Sequence, residues 1–370
     1  MKSNNIIISS NSSWNIYNFR INLIKNLLYK KYKLFVVVPN YDSYSKYIES
    51  IGCKIVVLKF DSRKISIFEF VSIFFKYFNL FYNLKPKYYL SFTIKPNIIG
   101  TLSAIFFKVK VINNITGMGS VFIQNKYLLK FFILFLYKII FIKSYIVFFQ
   151  NMNDLKYFLN QNIIKKNKAK LISGSGINLN LYKYNIPINK IEKNYNFLYF
   201  GRVISEKGIL ELLEAIPIIK NEFTNITFNI VGDTDSNDVK YDLIIKLIEK
   251  YKNDFNYFPY TDDIKKFIKN ADCVILPSYR EGLPRSLLES AALGVPIMAS
   301  NVPGCNEIII NNETGLLFNV KDTLDIVKKI KIFIKMNYDK KLILSKNARK
   351  KIEDEFDENF VIQKYNQYIR

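Results

Sequence analysis

The sequence predicts an α/β protein with two doubly wound domains that face each other across a cleft. Its 370 residues are enough for two domains, each with its own core. Short β-rich runs alternate with longer helical segments, which is typical of parallel sheets built from βαβ units. This pattern starts again near residue 193, after a stretch without a clear period. We therefore predict domains over residues 1–175 and 193–352, joined by a linker over 176–192.

Each predicted strand is a short apolar run bounded by turn-forming or polar residues. In the first half the strands are Ile6–Ser9, Leu34–Pro39, Lys54–Phe60, Tyr88–Phe92, Val109–Asn113, Ser144–Phe149 and Lys170–Ser173. In the second half they are Asn196–Phe200, Thr227–Val231, Asn256–Phe258, Cys273–Leu276, Pro296–Ala299 and Gly315–Phe318.

Charge is distributed unevenly along the chain. The formal net charge is +23, and residues 1–175 hold 26 Lys and Arg against 5 Asp and Glu, a net of +21. A basic half indicates an anionic partner such as nucleic acid, an anionic membrane or a phosphorylated substrate. Lysines alternate with large apolar residues over 66–87 and 126–149, which favours a membrane surface. Core helices whose lysines extend to solvent are the alternative.

Composition excludes several other classes. Hydrophobic residues make up 49% of the chain, so it is not a disordered protein. Lysines interrupt the apolar runs of 126–149, which are too short to span a bilayer, and the N-terminus predicts a strand rather than a signal peptide. The three cysteines match no metal spacing and indicate reduced, mostly buried thiols in a cytosolic protein. Histidine is absent, which excludes catalysis by imidazole and metal sites that use histidine ligands.

Two glutamates lie in the most informative stretch of the chain, Leu276 to Glu307. Glu281 precedes and Glu289 lies inside a helix that we predict to start at Pro284 and to continue over Arg285–Leu293. Both carboxylates can therefore face one cleft, where they would accept hydroxyl protons. The helix N-terminus adds unpaired N–H groups that suit a phosphate. Carboxylates and an anion site together fit a nucleotide-sugar.

A pair of cations follows the first strand of the second domain. Gly201 lets the chain turn after this strand, and Arg202 and Lys207 come before the next helix. An arginine fork and a lysine point charge are what a leaving diphosphate needs. The alternative is that both are solvated loop charges. The glutamate pair downstream argues against this alternative.

These two motifs resemble the donor site of retaining family-4 glycosyltransferases, enzymes with two Rossmann-like domains known as the GT-B fold. The family pattern E-x7-E is matched by Glu281 and Glu289, and its diphosphate-binding pair by Arg202 and Lys207. The resemblance implies that Glu289 holds the ribose, and that Arg202, Lys207 and Glu281 form the catalytic set. It also implies that residues 353–370 return to the first domain. Further donor-binding residues are Gly201, Gly282, Leu283, Pro284, Arg285, Tyr260 and Thr261, and we expect the backbone around Phe258 to Asp262 to hold the base.

Two stretches of the first domain, 91–104 and 112–119, resemble one branch of that family. The branch adds sugars to polyprenyl-diphosphate-linked precursors, as bacterial N-acetylgalactosaminyl and hexosyl transferases of surface glycan and N-glycan assembly do. The loop after the first strand lacks a G-x-G-x-x-G motif, and Ser12 or Ser13 is alternatively a plain helix cap. Candidate acceptor-binding residues are Asn11, Ser12, Ser13, Trp14, Thr93, Lys95, Asn97, Asn114, Thr116 and Gly117.

The acidic stretch 233–238 imitates two metal motifs and satisfies neither. It lacks the glycine and the final glutamate of an EF-hand, and a D-x-D metal site belongs to a different fold. We predict a solvated loop, and an enzyme that needs neither a metal nor a cofactor.

We expect a retaining, metal-independent hexosyltransferase. It would move a hexose or N-acetylhexosamine from a UDP-sugar to an undecaprenyl-diphosphate-linked saccharide, in O-antigen, capsule or other glycan biosynthesis. It would be cytoplasmic and peripheral, on the anionic inner face of the cell membrane. A soluble or protein acceptor is the first alternative. A non-catalytic basic binding protein is the second, although no RRM, KH or helix-turn-helix signature indicates nucleic acid.

Overall fold

The computed structural model describes residues 4–61, 66–117, 127–185, 194–261 and 263–370. The chain forms two compact units. Unit 1 comprises Met1–Gly176 and Asn359–Arg370, and unit 2 comprises Ile177–Glu358. Within the described residues, no helix combines the length and the apolar content that crossing a membrane requires.

Strands and helices alternate along both units. The strands are β1 Asn5–Ser9, β2 Lys33–Val38, β3 Lys54–Val57, β4 Tyr88–Phe92, β5 Lys110–Ile115, β6 Ile146–Phe149, β7 Ala169–Leu171, β8 Tyr195–Phe200, β9 Ile226–Val231, β10 Asn256–Phe258, β11 Cys273–Leu276, β12 Ile297–Ser300 and β13 Leu316–Phe318. The helices are α1 Ser13–Tyr29, α2 Ser43–Ser50, α3 Ile67–Leu84, α4 Thr101–Ala104, α5 Tyr127–Lys143, α6 Met152–Asn160, α7 Ile209–Glu222, α8 Tyr241–Lys250, α9 Ile264–Lys269, α10 Arg285–Leu293, α11 Cys305–Ile308, α12 Thr323–Lys335, α13 Tyr338–Glu355 and α14 Glu358–Tyr368.

Unit 1 is built on a parallel sheet whose strand order is β3-β2-β1-β4-β5-β6-β7 over the described residues. Successive side chains of a strand point to opposite faces, so each face has its own helices. Ile7 and Tyr89 pack with α3 on one face, and Val147 and Phe149 pack there with α5. Ile6 faces the other side of the sheet, where α1, α2 and α14 lie.

The last helix completes the core of unit 1. Val361, Tyr365 and Ile369 are buried in the cluster formed by α1 and the sheet. The Tyr365 ring lies 4.8 Å from that of Phe148, and its hydroxyl accepts a hydrogen bond of 2.9 Å from the Asn114 amide. The chain therefore re-enters unit 1 through a helix with both apolar and polar contacts to the strands.

Unit 2 repeats the architecture with the strand order β10-β9-β8-β11-β12-β13, again parallel over the described residues. One continuous cluster of buried residues joins its sheet to α7, α8, α10, α12 and α13. The strand order reverses between β8 and β11. In open parallel sheets this reversal creates a crevice at the carboxyl ends of the strands, where ligands bind.

The predicted fold class is confirmed as two parallel-sheet α/β units. Every predicted strand is present, and the three β-rich runs Tyr88–Phe92, Asn256–Phe258 and Cys273–Leu276 have the predicted bounds. The third strand ends at Val57 rather than at Phe60. Pro284 is extended, with φ −71° and ψ 119°, so it caps α10 from outside and the helix starts one residue later.

The three cysteines are free and buried, as predicted. Burial raises the pKa of the Cys53 thiol to about 12 and holds the pKa of Cys273 and Cys305 well above the usual value. Because the thiolate is the reactive form, we expect the native protein to resist a thiol reagent at mildly alkaline pH. All three thiols should react once the chain is denatured. Rapid labelling of one thiol in the native protein would contradict this burial.

Candidate active site

Two loops follow the strands on either side of the reversal in unit 2. The first leaves β8 at Gly201, forms a tight 3-10 turn over Ser205–Lys207 and enters α7 through Gly208. The second leaves β11 and reaches α10 through Pro284. Since β8 and β11 are neighbouring parallel strands, both loops leave the same edge of the sheet. The predicted cations and glutamates are therefore brought to one crevice.

Gly208 fixes how closely the two loops approach. Its φ is +69°, and a Cβ there would lie 1.9 Å from the backbone oxygen of Pro277. No side chain fits so close to a backbone atom, so glycine is required. The contact is supported by the Tyr279 amide, which donates a hydrogen bond of 3.0 Å to the Glu206 carbonyl. Gly208 was not among the residues that the sequence singled out.

Lys207 and Glu281 form an ion pair between these loops. The Ser278 hydroxyl donates a second hydrogen bond, of 2.6 Å, to the same carboxylate oxygen. The side chains of Lys207 and Glu281 are 22% and 11% exposed, so the pair is shielded but reachable from solvent. A lysine ammonium has three donors, so Lys207 can hold the carboxylate and an incoming anion together.

Arg202 lies on the same loop and is exposed. Its backbone oxygen accepts a hydrogen bond of 2.6 Å from the buried Tyr199 hydroxyl. Burial, and after it the charge of Glu281, raise the pKa of the Tyr199 phenol, whereas Arg202 lowers it. Both charges therefore act on one hydroxyl, which places Arg202 in the neighbourhood of the Lys207–Glu281 pair.

Glu289 has its own cation. Arg285 Nε donates a hydrogen bond of 2.7 Å to Glu289 Oε1, one turn along α10, and Glu289 is 8% exposed. Tyr182 is buried beside them. Burial and then Glu289 raise the pKa of the Tyr182 phenol, while Arg285 opposes them. The two glutamates are therefore held separately, one by Lys207 and one by Arg285.

The segment Glu281–Gly282 rests on the turn before α11. Gly304 has φ +87°, and a Cβ there would lie 2.7 Å from the Glu281 oxygen and 2.8 Å from the Gly282 oxygen. The Glu281 amide donates a hydrogen bond of 3.2 Å to the Pro303 carbonyl. Leu283 packs against the core of unit 2, so the loop has a fixed base.

The acidic stretch 233–238 is a loop at least partly exposed to solvent, as predicted, but two of its carboxylates also bind neighbouring loops. Asp238 Oδ2 accepts hydrogen bonds from the amide (3.1 Å) and hydroxyl (3.0 Å) of Ser205, within the turn that carries Lys207. Asp233 Oδ1 accepts one of 3.1 Å from the Tyr260 amide. This stretch therefore fixes two loops of the candidate site. Nothing in the sequence paired it with either loop.

The predicted base-binding residues follow β10. Tyr260 is exposed and anchored through its amide, and the Thr261 hydroxyl accepts a hydrogen bond of 3.2 Å from the Asp263 amide. Asp262, at the end of the predicted segment, lies outside the described residues. Both anchored residues lie at the same edge of the sheet as the cations, because β10 pairs in parallel with β9 and β9 with β8.

In unit 1, the first loop caps α1 as predicted. Ser12 is the cap, since its hydroxyl accepts a hydrogen bond of 3.1 Å from the Asn15 amide. Ser13 is buried and donates a hydrogen bond to Asp42. Asn11 and Trp14 are at least partly exposed, and the Trp14 ring lies edge-on to another aromatic ring of α1. These two remain available to a ligand.

The segment after β4 contains an unusual backbone. Thr93 has φ +74°, a conformation that β-branched residues rarely adopt, and its buried hydroxyl oxygen has no hydrogen-bond partner among the residues that the structure describes. Such strain clusters at functional sites. Lys95, by contrast, forms an ion pair of 2.8 Å with Glu69 and donates to the Asp61 carbonyl, so its charge is already engaged.

Asn97 lies in a buried polar network rather than on the surface. It is 1% exposed, its oxygen accepts a hydrogen bond of 2.7 Å from the Ser91 hydroxyl, and its amide donates one of 2.9 Å to the Asn114 carbonyl. Asn114 itself is 0% exposed. Asn97 and Asn114 therefore stabilise the end of β5. The sequence predicts that they contact a ligand, and the structure instead places them beneath the loop. Thr116 and Gly117 follow at this end and are partly exposed, whereas residues 118 and 119 lie outside the described residues.

Two doubly wound units, with a cation and a carboxylate paired at the strand reversal of the second, define a glycosyltransferase of the GT-B class. The crystal structure of HepE from Anabaena in complex with UDP and glucose superimposes with a TM-score of 0.82, at 16% identity and over 99% of both chains. A family model described as glycosyl transferases group 1 matches residues 183–351.

Relatives extend this match over nearly the whole chain. The chain is 30% identical over 372 residues to the N,N'-diacetylbacillosaminyl-diphospho-undecaprenol alpha-1,3-N-acetylgalactosaminyltransferase of Campylobacter jejuni, covering 96% of each. It is 26% identical over 325 residues to the capsular polysaccharide biosynthesis glycosyltransferase CapM of Staphylococcus aureus, covering 83% of this chain and 84% of CapM. The protein belongs to the group 1 glycosyltransferases.

Proposed function

We propose that this protein is a retaining, metal-independent glycosyltransferase. It moves a hexose or N-acetylhexosamine from a UDP-sugar to a polyprenyl-diphosphate-linked saccharide in bacterial surface glycan biosynthesis. The observation that carries the proposal is the shielded Lys207–Glu281 pair at the strand reversal of unit 2. The acceptor class is supported by the Campylobacter relative, which is named for an undecaprenol-linked substrate and matches almost the full chain.

Charge stabilisation on the departing diphosphate would be the main catalytic effect. Lys207 and Arg202 supply positive charge from the loop between β8 and α7. The nine-residue helix α10 adds the N–H groups of its first turn. Cations fixed where negative charge develops usually contribute the largest part of rate enhancement. A UDP donor is supported by the HepE structure, which shares the fold and contains UDP.

The carboxylates would orient the donor. Glu289 accepts hydrogen bonds from the ribose hydroxyls, and Arg285 fixes its rotamer. Glu281 accepts from hydroxyls of the transferred sugar, held in place by Lys207 and Ser278. The backbone around Tyr260 and Thr261 receives the base.

The anomeric configuration of the sugar is retained if the acceptor hydroxyl attacks from the same face that the diphosphate leaves. The acceptor hydroxyl gives its proton to the departing diphosphate oxygen, so no side-chain base is needed. The chain contains no histidine, and Glu281, the carboxylate beside the predicted diphosphate site, is paired with Lys207. The two cations neutralise the diphosphate directly, which is the role that a metal ion has in other sugar transferases.

Unit 1 would bind the acceptor. Four of the candidates, Asn11, Thr93, Thr116 and Gly117, lie on loops that follow parallel strands, and Trp14 lies in the first turn of α1. Each is at least partly exposed. In this proposal Ser13, Lys95, Asn97 and Asn114 hold those loops in place instead of contacting sugar. The enzyme would work at the cytoplasmic face of the membrane, where lipid-linked saccharides are presented to peripheral proteins.

Nucleotide release tests the proposal. UDP- and GDP-sugars are supplied with and without polyprenyl-diphosphate-linked mono- and disaccharides, and wild type is compared with Glu289→Ala. We expect UDP release that depends on the lipid-linked saccharide and that the variant loses. Glu249→Ala is the matched control, because that glutamate is exposed on α8 and forms a surface pair with Lys252.

Other outcomes would change the conclusion. Release that depends equally on a soluble saccharide would replace the lipid acceptor by a soluble one. UDP binding without release for any donor and acceptor would indicate a non-catalytic binding protein. Identical release by wild type and Glu289→Ala would remove the glutamate from the donor site.

Asp238 provides a separate prediction about the loop that carries the cations. Asp238→Ala removes both hydrogen bonds to Ser205, and a hydrogen bond to a charged group contributes about 1.5–3 kcal/mol. We expect kcat/KM for the donor to fall about tenfold, mostly through KM, because Lys207 is then less well positioned. Steady-state kinetics measures how the loss divides between kcat and KM. Asp235→Ala is the control, since Asp235 binds Asn237 within its own loop, and an equal loss in both variants would contradict the assignment.

A further inference from the structure

Two helices of unit 1 are apolar on the side that faces solvent as well as on the side that faces the sheet. On α5, Ile133, Tyr137 and Ile140 are buried, but Leu128 is 89% and Phe131 74% exposed. α3 shows the same pattern, with Ile73, Tyr77 and Phe81 buried and Phe68 89% exposed. A surface helix normally has a polar outer face, so a second apolar face indicates a partner.

These outer faces belong to one surface. α3 and α5 pack on the same face of the sheet, and the clusters beneath them share Phe70 as a partly buried member. Phe106, directly after α4, is 66% exposed and lies edge-on to Phe74 (6.1 Å) and Phe78 (5.7 Å) of α3. Since α4 lies next to both α3 and α5, the surface extends from α3 through α4 to α5. We call it the aromatic face, defined by Phe68, Phe75, Phe106, Leu128, Phe131 and Phe135.

Its charge has a single sign. Residues 70–153, which include nearly all of this surface, contain ten lysines and neither aspartate nor glutamate. Lys76 on α3, Lys108 after α4 and Lys138 on α5 are exposed among the aromatic side chains. The acid of α3, Glu69, is already paired with Lys95.

The geometry points to a membrane surface with anionic headgroups as the partner, with the aromatic face of α3–α5 inserted into its interfacial zone. Apolar side chains enter the headgroup and acyl boundary there, and lysines around them meet acidic lipids. A second copy of the chain would bring its lysines against these lysines, which is repulsive. A nucleic acid would leave Phe68 and Leu128 in water. The inference rests on the proposed function only in that a lipid-linked acceptor gives the membrane contact a purpose.

Vesicle binding tests this inference with the full chain. We expect it to co-sediment with vesicles of equal parts phosphatidylcholine and phosphatidylglycerol, and far less with phosphatidylcholine alone. The double variant Phe68→Gln/Leu128→Gln should bind the mixed vesicles at least about tenfold more weakly, since two exposed side chains lose their apolar burial. Leu324→Gln is the matched control, because Leu324 is 71% exposed on α12 of unit 2.

The charge contribution has its own variant. Lys76→Gln/Lys138→Gln should lose most of the preference for anionic vesicles, about fivefold for each lysine removed. Added salt should weaken wild-type binding without abolishing it, because the apolar contact remains. UDP affinity measured in parallel should be the same in every variant, which excludes misfolding.

The results separate this inference from the proposed function. Vesicle binding that the aromatic variant loses would support the inference even if no sugar is transferred. Transfer to a soluble acceptor analogue together with no vesicle binding would overturn it. Vesicle binding that the aromatic variant retains would also overturn it. A dimer in light scattering that the aromatic variant dissociates, without vesicle binding, would make the surface a self-association interface instead.

Discussion

Lys207→Ala should lower kcat/KM about 10²- to 10³-fold, equivalent to about 2.7–4 kcal/mol, the range measured when one group that stabilises transition-state charge is deleted. The variant loses a cation beside the departing diphosphate. It also leaves Glu281, 11% exposed, with the Ser278 hydroxyl but without its cation. Initial rates of UDP release at varied donor concentration measure the effect.

The design of this experiment separates chemistry from folding. Lys207→Arg keeps the charge but replaces a point charge by a planar fork, so we expect partial activity. Lys240→Ala is the control, since Lys240 is exposed at the start of α8. Lys207 and Glu281 act as a unit, so the double variant Lys207→Ala/Glu281→Gln should lose less than the sum of the single losses. Activity within twofold of wild type in Lys207→Ala would make the ion pair purely structural.

Glu289→Gln should raise the Kd for UDP about 10- to 100-fold, because hydrogen bonds to a charged acceptor contribute about 1.5–3 kcal/mol each. The ribose analogue makes this prediction specific. Wild type should prefer UDP to 2',3'-dideoxy-UDP, and the variant should lose that preference. Isothermal titration with both nucleotides measures the two affinities for each protein.

Another helix of unit 2, α13, offers a close control for Glu289. Arg349 and Glu353 on α13 form an i,i+4 pair with Nε to Oε1 at 2.6 Å, almost the geometry of Arg285 and Glu289 at 2.7 Å. Glu353→Gln therefore breaks a similar pair on another helix and should leave nucleotide affinity unchanged. If Glu289→Gln weakens UDP and its dideoxy analogue equally, Glu289 supports the helix without binding ribose.

The fold could be predicted almost completely from local pattern. Strands buried on both faces are short continuous apolar runs, and β4 and β11, whose residues are all buried, match their predicted bounds. Where the apolar pattern continues past the point at which pairing stops, as at Phe60, the predicted end is too late. Strand ends depend on a neighbouring strand, which no local pattern contains.

The candidate site was only partly visible in the sequence. The pattern Glu281-x7-Glu289 and the cations Arg202 and Lys207 were identified because they match the donor-site motifs of the family that the sequence resembles, and because each motif begins between a predicted strand and a predicted helix. Asp238, Tyr199 and Gly208 were missed, since what makes them important is a contact with a residue or backbone group that they meet only after folding. Asn97 and Lys95 looked available from their polarity but are engaged within unit 1.

The sequence by itself determined the class of this protein. Its alternating pattern specifies two parallel sheets, and its residue types restrict the chemistry to carboxylates and cations. Only the tertiary structure decided the partners: that Lys207 pairs with Glu281, 74 residues away, that Asp238 fixes the turn beneath them, and that the apolar faces of α3 and α5 form one surface. Periodicity and residue type are local properties that the chain carries before it folds. The approach of side chains distant in sequence depends on how the βαβ units pack, and that packing exists only in the folded sheet.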